Sequence, residues 1–221
     1  MNYTVKILEK SWLTHNVILL VFEKPEGFTH KIGQAIELTL NTPQYRSQYA
    51  PFTLVSLPEE DQLKLIIKIY PKHHGLTEAL SKINPKDSMI ITSSWDSYEY
   101  QGKGCFIAAG SGITPFIPMF RDLNKNRQLK NHGLIYANRS VGDIILHEEL
   151  TDQFKSHLHI ILSEEKTTDF DYGIIDYNYL QSKVEGFGQH FYVCGPNAFM
   201  ESVKKELLRS GAKKKNIQTG Y

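Results

Sequence analysis

Hydrophobic and polar residues alternate in short runs through the first half of the chain. Some of these runs have apolar residues at every second position, others are continuous and rich in β-branched residues, and Pro, Gly or polar residues separate them. This two-residue period is typical of β-strands that bury one face. It predicts one short helix at residues 76–83 and strands at residues 3–9, 17–23, 35–40, 52–56, 63–70 and 88–92. Short strands at this spacing favour an antiparallel β-barrel.

From Gly104 onward the pattern changes to buried strands that alternate with helices. It predicts strands at residues 105–109, 134–137, 159–162 and 190–193, and helices at residues 114–126, 148–154, 177–184 and 196–210. Such alternation implies right-handed crossovers and a parallel sheet covered on both faces. We therefore expect two domains: an antiparallel β-barrel at residues 1–100 and an α/β parallel-sheet domain at residues 101–221.

Composition and charge exclude several classes of protein. The 25 Lys and Arg against 24 Asp and Glu give a net charge of +1, which provides no bulk field for nucleic acid or a membrane surface. No apolar leader and no run long enough for a membrane span is found, so a cytoplasmic location is expected. Two cysteines are too few for an iron–sulfur cluster, and the adjacent His73 and His74 lack clustered carboxylates, so no metal site is expected.

The glycine turn, residues 110–115, carries the strongest chemical signal. It follows a predicted strand and consists of Gly110, Ser111, Gly112, Ile113, Thr114 and Pro115. Glycine permits unusual backbone angles and leaves no Cβ in the way of a ligand, and the start of a helix attracts a phosphate group. A glycine pair between strand and helix is also common as a plain tight connection, and Pro115 breaks the usual G-x-G-x-x-G pattern. Other segments must decide between these interpretations.

Three further segments stand at or just after the ends of predicted strands. They are Ala50-Pro51-Phe52-Thr53, then Ile69-Tyr70 with His74-Gly75-Leu76-Thr77, and finally Cys194-Gly195-Pro196. Together with the glycine turn, and in this order, they resemble the motifs of the ferredoxin–NADP reductase family, particularly its stand-alone bacterial branch of flavodoxin reductases and FAD-binding oxidoreductases. The resemblance covers essentially the whole chain. It implies a flavin-binding barrel followed by a nucleotide-binding α/β domain.

The resemblance assigns FAD to the barrel. In the family, the first segment reads Arg-x-Tyr/Phe-Ser/Thr: its aromatic ring lies against the flavin, and its hydroxyl donates a hydrogen bond near flavin N5. Phe52 and Thr53 match these positions. Ala50 replaces the arginine that pairs with the FAD pyrophosphate, so we expect FAD to be held loosely, with Arg46 as an alternative phosphate contact. The segments at residues 69–70 and 74–77 are implied to contact the flavin and hold the FAD phosphates.

The resemblance assigns a nicotinamide dinucleotide to the second domain. The family loop G-G-x-G-[IV]-[TA]-P differs here only at Ala109, so the glycine turn is implied to hold the dinucleotide, with Thr114 where the two cofactors meet. Cys194 is implied to lie beside nicotinamide C4, at the head of the Cys194-Gly195-Pro196 segment. Asn138 and Arg139 follow the second strand of this domain, where the adenosine ribose is recognised. Because no second arginine accompanies Arg139, NADH or mixed use is favoured over NADPH alone.

The function that the resemblance implies is an FAD-dependent NAD(P)H oxidoreductase. Thr53, Thr114 and Cys194 would be its catalytic residues, and Tyr221 would cover the flavin. Hydride would pass from NADH or NADPH to bound FAD, and electrons would go on to a separate redox protein such as flavodoxin or ferredoxin. Two alternatives stay open. One is an NAD(P)H:flavin reductase that uses flavin as a diffusing substrate, and the other is a non-catalytic electron-transfer or nucleotide-sensing subunit.

Overall fold

The computed structural model describes residues 1–71 and 75–220, which form two compact units. The first unit comprises Met1–Glu99 together with Ile117–Met119, and the second comprises the rest of the described chain from Tyr100 onward. Each unit has its own hydrophobic core. The predicted fold class, a β-barrel followed by an α/β parallel-sheet domain, is confirmed.

The first unit is an antiparallel sheet that curls into a nearly closed barrel. The elements are β1 (Asn2–Thr14), β2 (Val17–Glu23), β3 (Gln34–Leu40), β4 (Ala50–Thr53), β5 (Gln62–Lys68), α1 (Leu76–Lys82), β6 (Ser88–Thr92) and β7 (Trp95–Asp96). The hydrogen-bonded order of the strands is β4-β3-β6-β1-β2-β5, and β7 pairs with β3. The helix α1 contributes Leu76 and Leu80 to the barrel core.

The barrel closes at a narrow seam between its first and last strands in the hydrogen-bonded order. Past the end of β4, Leu54 forms a single bridge with Leu65 of β5, and Val55 N donates to Lys64 O at 2.9 Å. The predicted strand at residues 52–56 is therefore corrected to Ala50–Thr53. The residues after Thr53 belong to the seam because their partner is β5 rather than β3.

The second unit is built on a parallel sheet, as the alternating pattern predicts. The strands are β8 (Gly104–Ala109), β9 (Gly133–Asn138), β10 (Leu158–Leu162), β11 (Asp171–Tyr172), β12 (His190–Cys194) and β13 (Ile217–Gln218). Their order in the sheet is β11-β10-β9-β8-β12-β13, and every pair is parallel. The helices are α2 (Ile117–Lys125), α3 (His147–Phe154), α4 (Tyr177–Lys183) and α5 (Asn197–Arg209).

Both faces of the parallel sheet are covered. On one face, Ile107 and Val193 pack with Leu180 of α4 and Val203 of α5. The alternate residues point to the opposite face. There Phe106 contacts side chains of the segment after β8, namely Phe116 and Phe120, with ring centroids 5.2 and 4.9 Å apart. Among the described residues, no helix is long and apolar enough to cross a membrane.

Candidate functional site

The strand order of the second unit marks one edge of the sheet as a candidate site. From β8 the chain moves to β9, β10 and β11 on one side, then returns to β12 and β13 on the other. The change of direction falls between β8 and β12. In open α/β sheets, ligands bind outside the carboxyl ends of the strands at this switch point. The glycine turn follows β8, and Cys194 ends β12, so both segments lie there.

The glycine turn is a 3-10 helix, which corrects the start of the helix predicted at residues 114–126. Gly110–Phe116 winds with the tighter turn, and α2 begins only at Ile117. Gly110 has a φ of +51°, a backbone conformation that favours glycine. Ser111 and Thr114 are half-buried, whereas Ile113 is fully buried beneath the turn. The N–H groups nearest the turn therefore belong to a 3-10 helix.

Gly112 is required because the backbone of β12 lies directly against it. A Cβ at Gly112 would lie 2.4 Å from the carbonyl oxygen of Cys194 and 2.7 Å from the Cα of Gly195. Gly112 itself does not have a positive φ, so the sequence-based argument from unusual backbone angles applies to Gly110 but not to this residue. A Cβ at Gly195 would in turn lie 2.9 Å from that of Ala109. The glycine turn and the start of the Cys194-Gly195-Pro196 segment thus form one close-packed backbone surface.

The segment after β9 lies at the same edge of the sheet and carries a charge pair. Arg139 Nη2 lies 3.3 Å from Asp143 Oδ1, with the arginine side chain half exposed and the carboxylate nearly buried. The other oxygen of Asp143 accepts hydrogen bonds from Ser140 N and Oγ at 3.2 and 2.8 Å. Glu165 supplies a second carboxylate, which accepts from Val141 N at 2.8 Å. Arg139 is therefore paired with one carboxylate, and a second carboxylate is bonded to the backbone of the same segment.

Two buried polar side chains of β9 were not identified from the sequence as a pair. Asn138 is 6% exposed, and its amide nitrogen and oxygen have no hydrogen bond of normal geometry within the described residues. Tyr136 is fully buried, and its hydroxyl donates to Gly110 O at 2.9 Å and accepts from Ile145 N at 3.4 Å. Burial raises the pKa of Tyr136, so its hydroxyl remains protonated. The sequence signal that could have identified Tyr136 is a hydroxyl in the middle of a buried strand, because a buried hydroxyl needs a hydrogen-bond partner.

In the first unit, β4 carries the segment Ala50-Pro51-Phe52-Thr53 along one edge of the hydrogen-bonded path. Ala50 and Phe52 are half-buried against the barrel core, and Pro51 is exposed. Thr53 lies on the opposite face of the strand from Phe52 because side chains alternate. Arg46, the alternative phosphate contact, is exposed and donates to Asn41 Oδ1 at 2.8 Å. No cation within the segment replaces the family arginine at Ala50.

The residues implied to hold the FAD phosphates flank the start of α1. Ile69 is buried in the barrel core, so its side chain is committed to packing, whereas Tyr70 is 47% exposed. Gly75 precedes α1 and forms no side-chain cap, so N–H groups of the first turn, including that of Thr77, point outward from the helix end. Leu76 is buried. His74 and Tyr221 lie outside the described residues.

The two groups of predicted residues therefore fall in different units. Those of the glycine turn, the Cys194-Gly195-Pro196 segment and the Asn138-Arg139 pair share the carboxyl edge of the parallel sheet. Those of residues 50–53, 69–70 and 75–77 belong to the barrel. The glycine-lined backbone surface and the orphaned amide of Asn138 fit a dinucleotide. The barrel segments fit a flavin ring and a phosphate at a helix end, apart from the missing arginine. Within the described chain, no group of His, Cys, Asp or Glu residues is arranged to hold a metal ion.

Comparison with known protein families assigns the same two regions. The family described as FAD-binding domain matches residues 2–112, about half of the chain. The family described as oxidoreductase NAD-binding domain matches residues 106–205. The first match covers the barrel and the second covers most of the parallel-sheet unit, including the glycine turn and Cys194.

Individual relatives are similar along most of the chain. NADH-cytochrome b5 reductase 2-B of Vanderwaltozyma polyspora is 30% identical over 69% of this chain, which spans 55% of that relative's length. NADH-cytochrome b5 reductase 2 of Debaryomyces hansenii is 26% identical over 96% of this chain and 75% of its own. The structure of a ferredoxin NADP+ reductase from Neisseria gonorrhoeae, with bound FAD and NADP, matches with a TM-score of 0.83 and 16% identity. That match covers 100% of this chain and 99% of the other.

Proposed function

This chain belongs to the FAD- and NAD-binding oxidoreductases of the ferredoxin–NADP reductase type, and on that basis we propose that it oxidises NADH and delivers the electrons to a small haem protein. FAD, when bound, supplies the chemistry that links a two-electron hydride donor to a one-electron acceptor. The residues of the chain bind, orient and screen the two cofactors. Thr53, Thr114 and Cys194 are the side chains we propose to be nearest the reacting atoms.

The observation that carries this proposal is the contact between Gly112 and the backbone of Cys194. Because a Cβ at Gly112 would lie 2.4 Å from Cys194 O, the glycine turn and the end of β12 are held against each other at the switch point. A dinucleotide laid across this surface meets backbone rather than side chains, which allows a close approach to its pyrophosphate. The half-buried Cys194 side chain stands at the same place, where it would limit the access of water to a bound nicotinamide ring.

We propose NADH rather than NADPH as the donor, because of the charges around Arg139. A 2′-phosphate would need a cation whose charge is available, but Arg139 is paired with Asp143. Glu165, bonded to Val141 N, adds a second negative charge to the same segment. Asp143 offsets the charge of the guanidinium, and the negative charge of Glu165 on the same segment disfavours a phosphate. The names of the relatives, which are NADH-dependent reductases, support the same choice.

The relatives also guide the choice of acceptor. Both are named for cytochrome b5, so we propose a cytochrome b5-type haem protein in place of the flavodoxin or ferredoxin expected from the sequence. The cytoplasmic location stays a prediction.

The test is an anaerobic titration of the purified, FAD-loaded chain. We expect NADH to bleach the flavin absorbance, and the reduced protein to reduce cytochrome b5 faster than flavodoxin or ferredoxin in a stopped-flow experiment. Failure of both NADH and NADPH to bleach the flavin would contradict the oxidoreductase activity itself. Bleaching followed by faster transfer to flavodoxin or ferredoxin would contradict only the acceptor.

A second candidate function is supported by Ala50. Loss of the phosphate-pairing arginine weakens the hold on the FAD pyrophosphate, which favours an NAD(P)H:flavin reductase whose flavin diffuses in and out. Such an enzyme would turn over riboflavin about as well as FAD, because it makes little use of the adenylate half. A rate on riboflavin far below that on FAD, together with FAD that survives gel filtration, would reject this alternative.

A further inference from the structure

The hydroxyl of Tyr136 connects two loops at the carboxyl edge of the parallel sheet. It donates to Gly110 O, the first residue of the glycine turn, at 2.9 Å. It also accepts from Ile145 N at 3.4 Å. Ile145 lies in the adenosine loop, residues 139–146, which begins with Arg139 and ends at Leu146 with a φ of +54°. Tyr136 itself is fixed between β8 and β10 by pairing with Ala108 and Ile160.

Both loops that Tyr136 joins have little freedom of their own. Gly110 has a left-handed backbone conformation, and two residues later Gly112 packs against Cys194 O with no room for an added carbon. A shift of a few tenths of an ångström at Gly110 therefore changes the surface at Gly112. The adenosine loop carries the Arg139–Asp143 pair. One buried hydroxyl thus bridges the two loops that would hold the pyrophosphate side and the ribose side of a dinucleotide.

We propose that Tyr136 is a positioning residue for NADH, holding the glycine turn and the adenosine loop at the separation that the dinucleotide requires. This inference rests on the proposed function of the edge as the NADH site. Tyr136 does not reach the reacting atoms, since its hydroxyl is spent on two backbone groups. Its contribution is to dinucleotide affinity, because the loops are preorganised before the ligand arrives.

Tyr192 provides a matched control in a neighbouring strand. It is also almost fully buried, and its hydroxyl also bridges two backbone groups, accepting from Gln101 N at 2.9 Å and donating to Gly102 O at 2.8 Å. Those groups precede β8 at the opposite, amino end of the sheet. Tyr136→Phe and Tyr192→Phe therefore remove the same atom and similar hydrogen bonds, but only Tyr136→Phe disturbs the proposed site.

The experiment compares these two variants with the natural chain, each loaded with FAD. We expect both to melt a few degrees lower. Only Tyr136→Phe should raise the dissociation constant for NAD+, measured by calorimetry, by about five- to tenfold. This is the loss of affinity expected when one hydrogen bond is removed. FAD content and the flavin reduction rate at saturating NADH should stay within about twofold of the natural chain. Equal NAD+ affinities in the two variants would overturn the proposal.

A second measurement covers the case in which Tyr136→Phe fails to fold. In the natural chain, NAD+ should slow hydrogen exchange at the amide of Ile145, whose bond goes to Tyr136 rather than to a ligand. Unchanged exchange there, with protection confined to the glycine turn, would also overturn the proposal. NAD+ binding is measured without turnover, so the two proposals can fail separately. A chain that binds NAD+ but does not reduce its flavin would refute the proposed activity, and the role of Tyr136 in NAD+ binding could still be tested.

Discussion

Gly112 and Ala50 are the two single positions with the clearest consequences for ligand binding. At Gly112 the absence of a side chain is a steric necessity, because the backbone of Cys194 occupies the space where a Cβ would stand. At Ala50 the short side chain is a loss, because the family places a charged group there. The sequence alone identified both positions, but its argument from backbone angles does not hold for Gly112. A glycine in the sequence suggests an unusual backbone angle, whereas the sequence does not show which distant strand will pack against that glycine.

Replacing Gly112 by Ala should damage the second unit and its dinucleotide site. The new carbon would meet backbone, which cannot move aside like the end of a flexible side chain. We expect a loss of about 1–3 kcal/mol in the free energy of unfolding, typical of overpacking, and NAD+ binding weakened more than tenfold. Thermal unfolding and calorimetry measure the two effects. Gly186→Ala is the control because nothing lies within 4 Å of the Cβ it would add, and matching losses in both variants would contradict the steric argument.

Replacing Ala50 by Arg should tighten FAD binding. Ala50 is only half-buried, so a longer side chain can extend toward solvent and offer its guanidinium to the pyrophosphate. We expect about a tenfold lower dissociation constant for FAD, measured by flavin fluorescence on the apoprotein, with no change for riboflavin, which lacks the pyrophosphate. Ala50→Gln matches the length without the charge. An equal gain from Ala50→Gln, or nanomolar FAD binding already in the natural chain, would show that a phosphate cation is not what is missing.

At the level of strands and helices, prediction succeeded where an element carries its own periodic pattern. β2 and β6 have the predicted boundaries, because burial alternates along β6 and β2 is one continuous apolar run that ends at Glu23. The two-residue strands β7, β11 and β13 were missed, because two residues cannot show a period and these strands exist only through pairing with β3, β10 and β12. β1 extends to Thr14 because its first residues pair with β6 and the later ones with β2.

The contact between α2 and α3 supports a prediction about pH. Arg121 of α2 donates Nε and Nη2 to the two carboxylate oxygens of Glu149 on α3, at 2.8 and 2.9 Å. These hydrogen bonds hold the pKa of Glu149 below its usual value. A lowered folded-state pKa means that the stabilisation is present above the unfolded pKa, about 4.3, and is lost as the pH falls through the folded value.

We therefore expect Glu149→Gln to cost up to about 1 kcal/mol of unfolding free energy at pH 7, because the pair is partly exposed. The difference from the natural chain should shrink as the pH falls below about 4. Urea unfolding at several pH values measures it. The control is Glu148→Gln, since Glu148 forms no ion pair in the part of the chain that the structure describes. A penalty that persists at low pH would show that packing, rather than charge, accounts for the effect.

At the scale of the whole molecule, the two units can be followed by different spectroscopic signals. Both tryptophans of the sequence, Trp12 and Trp95, belong to the barrel unit, whereas α3, α4 and α5 belong to the parallel-sheet unit. Tryptophan fluorescence therefore reports the unfolding of the barrel. Far-ultraviolet circular dichroism at the helix band reports mainly the other unit.

We expect FAD to raise the midpoint of the fluorescence transition more than that of the circular dichroism transition, and NAD+ to do the opposite. A ligand at one hundred times its dissociation constant stabilises the unit it binds by about 2.7 kcal/mol. Thermal scans with each ligand separately make the comparison, with AMP as a nucleotide control that lacks the nicotinamide and flavin rings. Equal shifts of both signals with either ligand would mean that the two units unfold as one.

The weak pairing at the seam of the barrel has a consequence for the solubility of the protein without its flavin. β4 is four residues long and is joined to β5 by little more than the Leu54–Leu65 bridge and the bond from Val55 N to Lys64 O. Open strand edges are templates for pairing with other chains. Pro51, which has no N–H to offer, blunts this edge. Because the flavin segment is the seam strand itself, we expect the flavin-depleted protein to be the form most prone to edge-to-edge self-association, and FAD added during purification to reduce it.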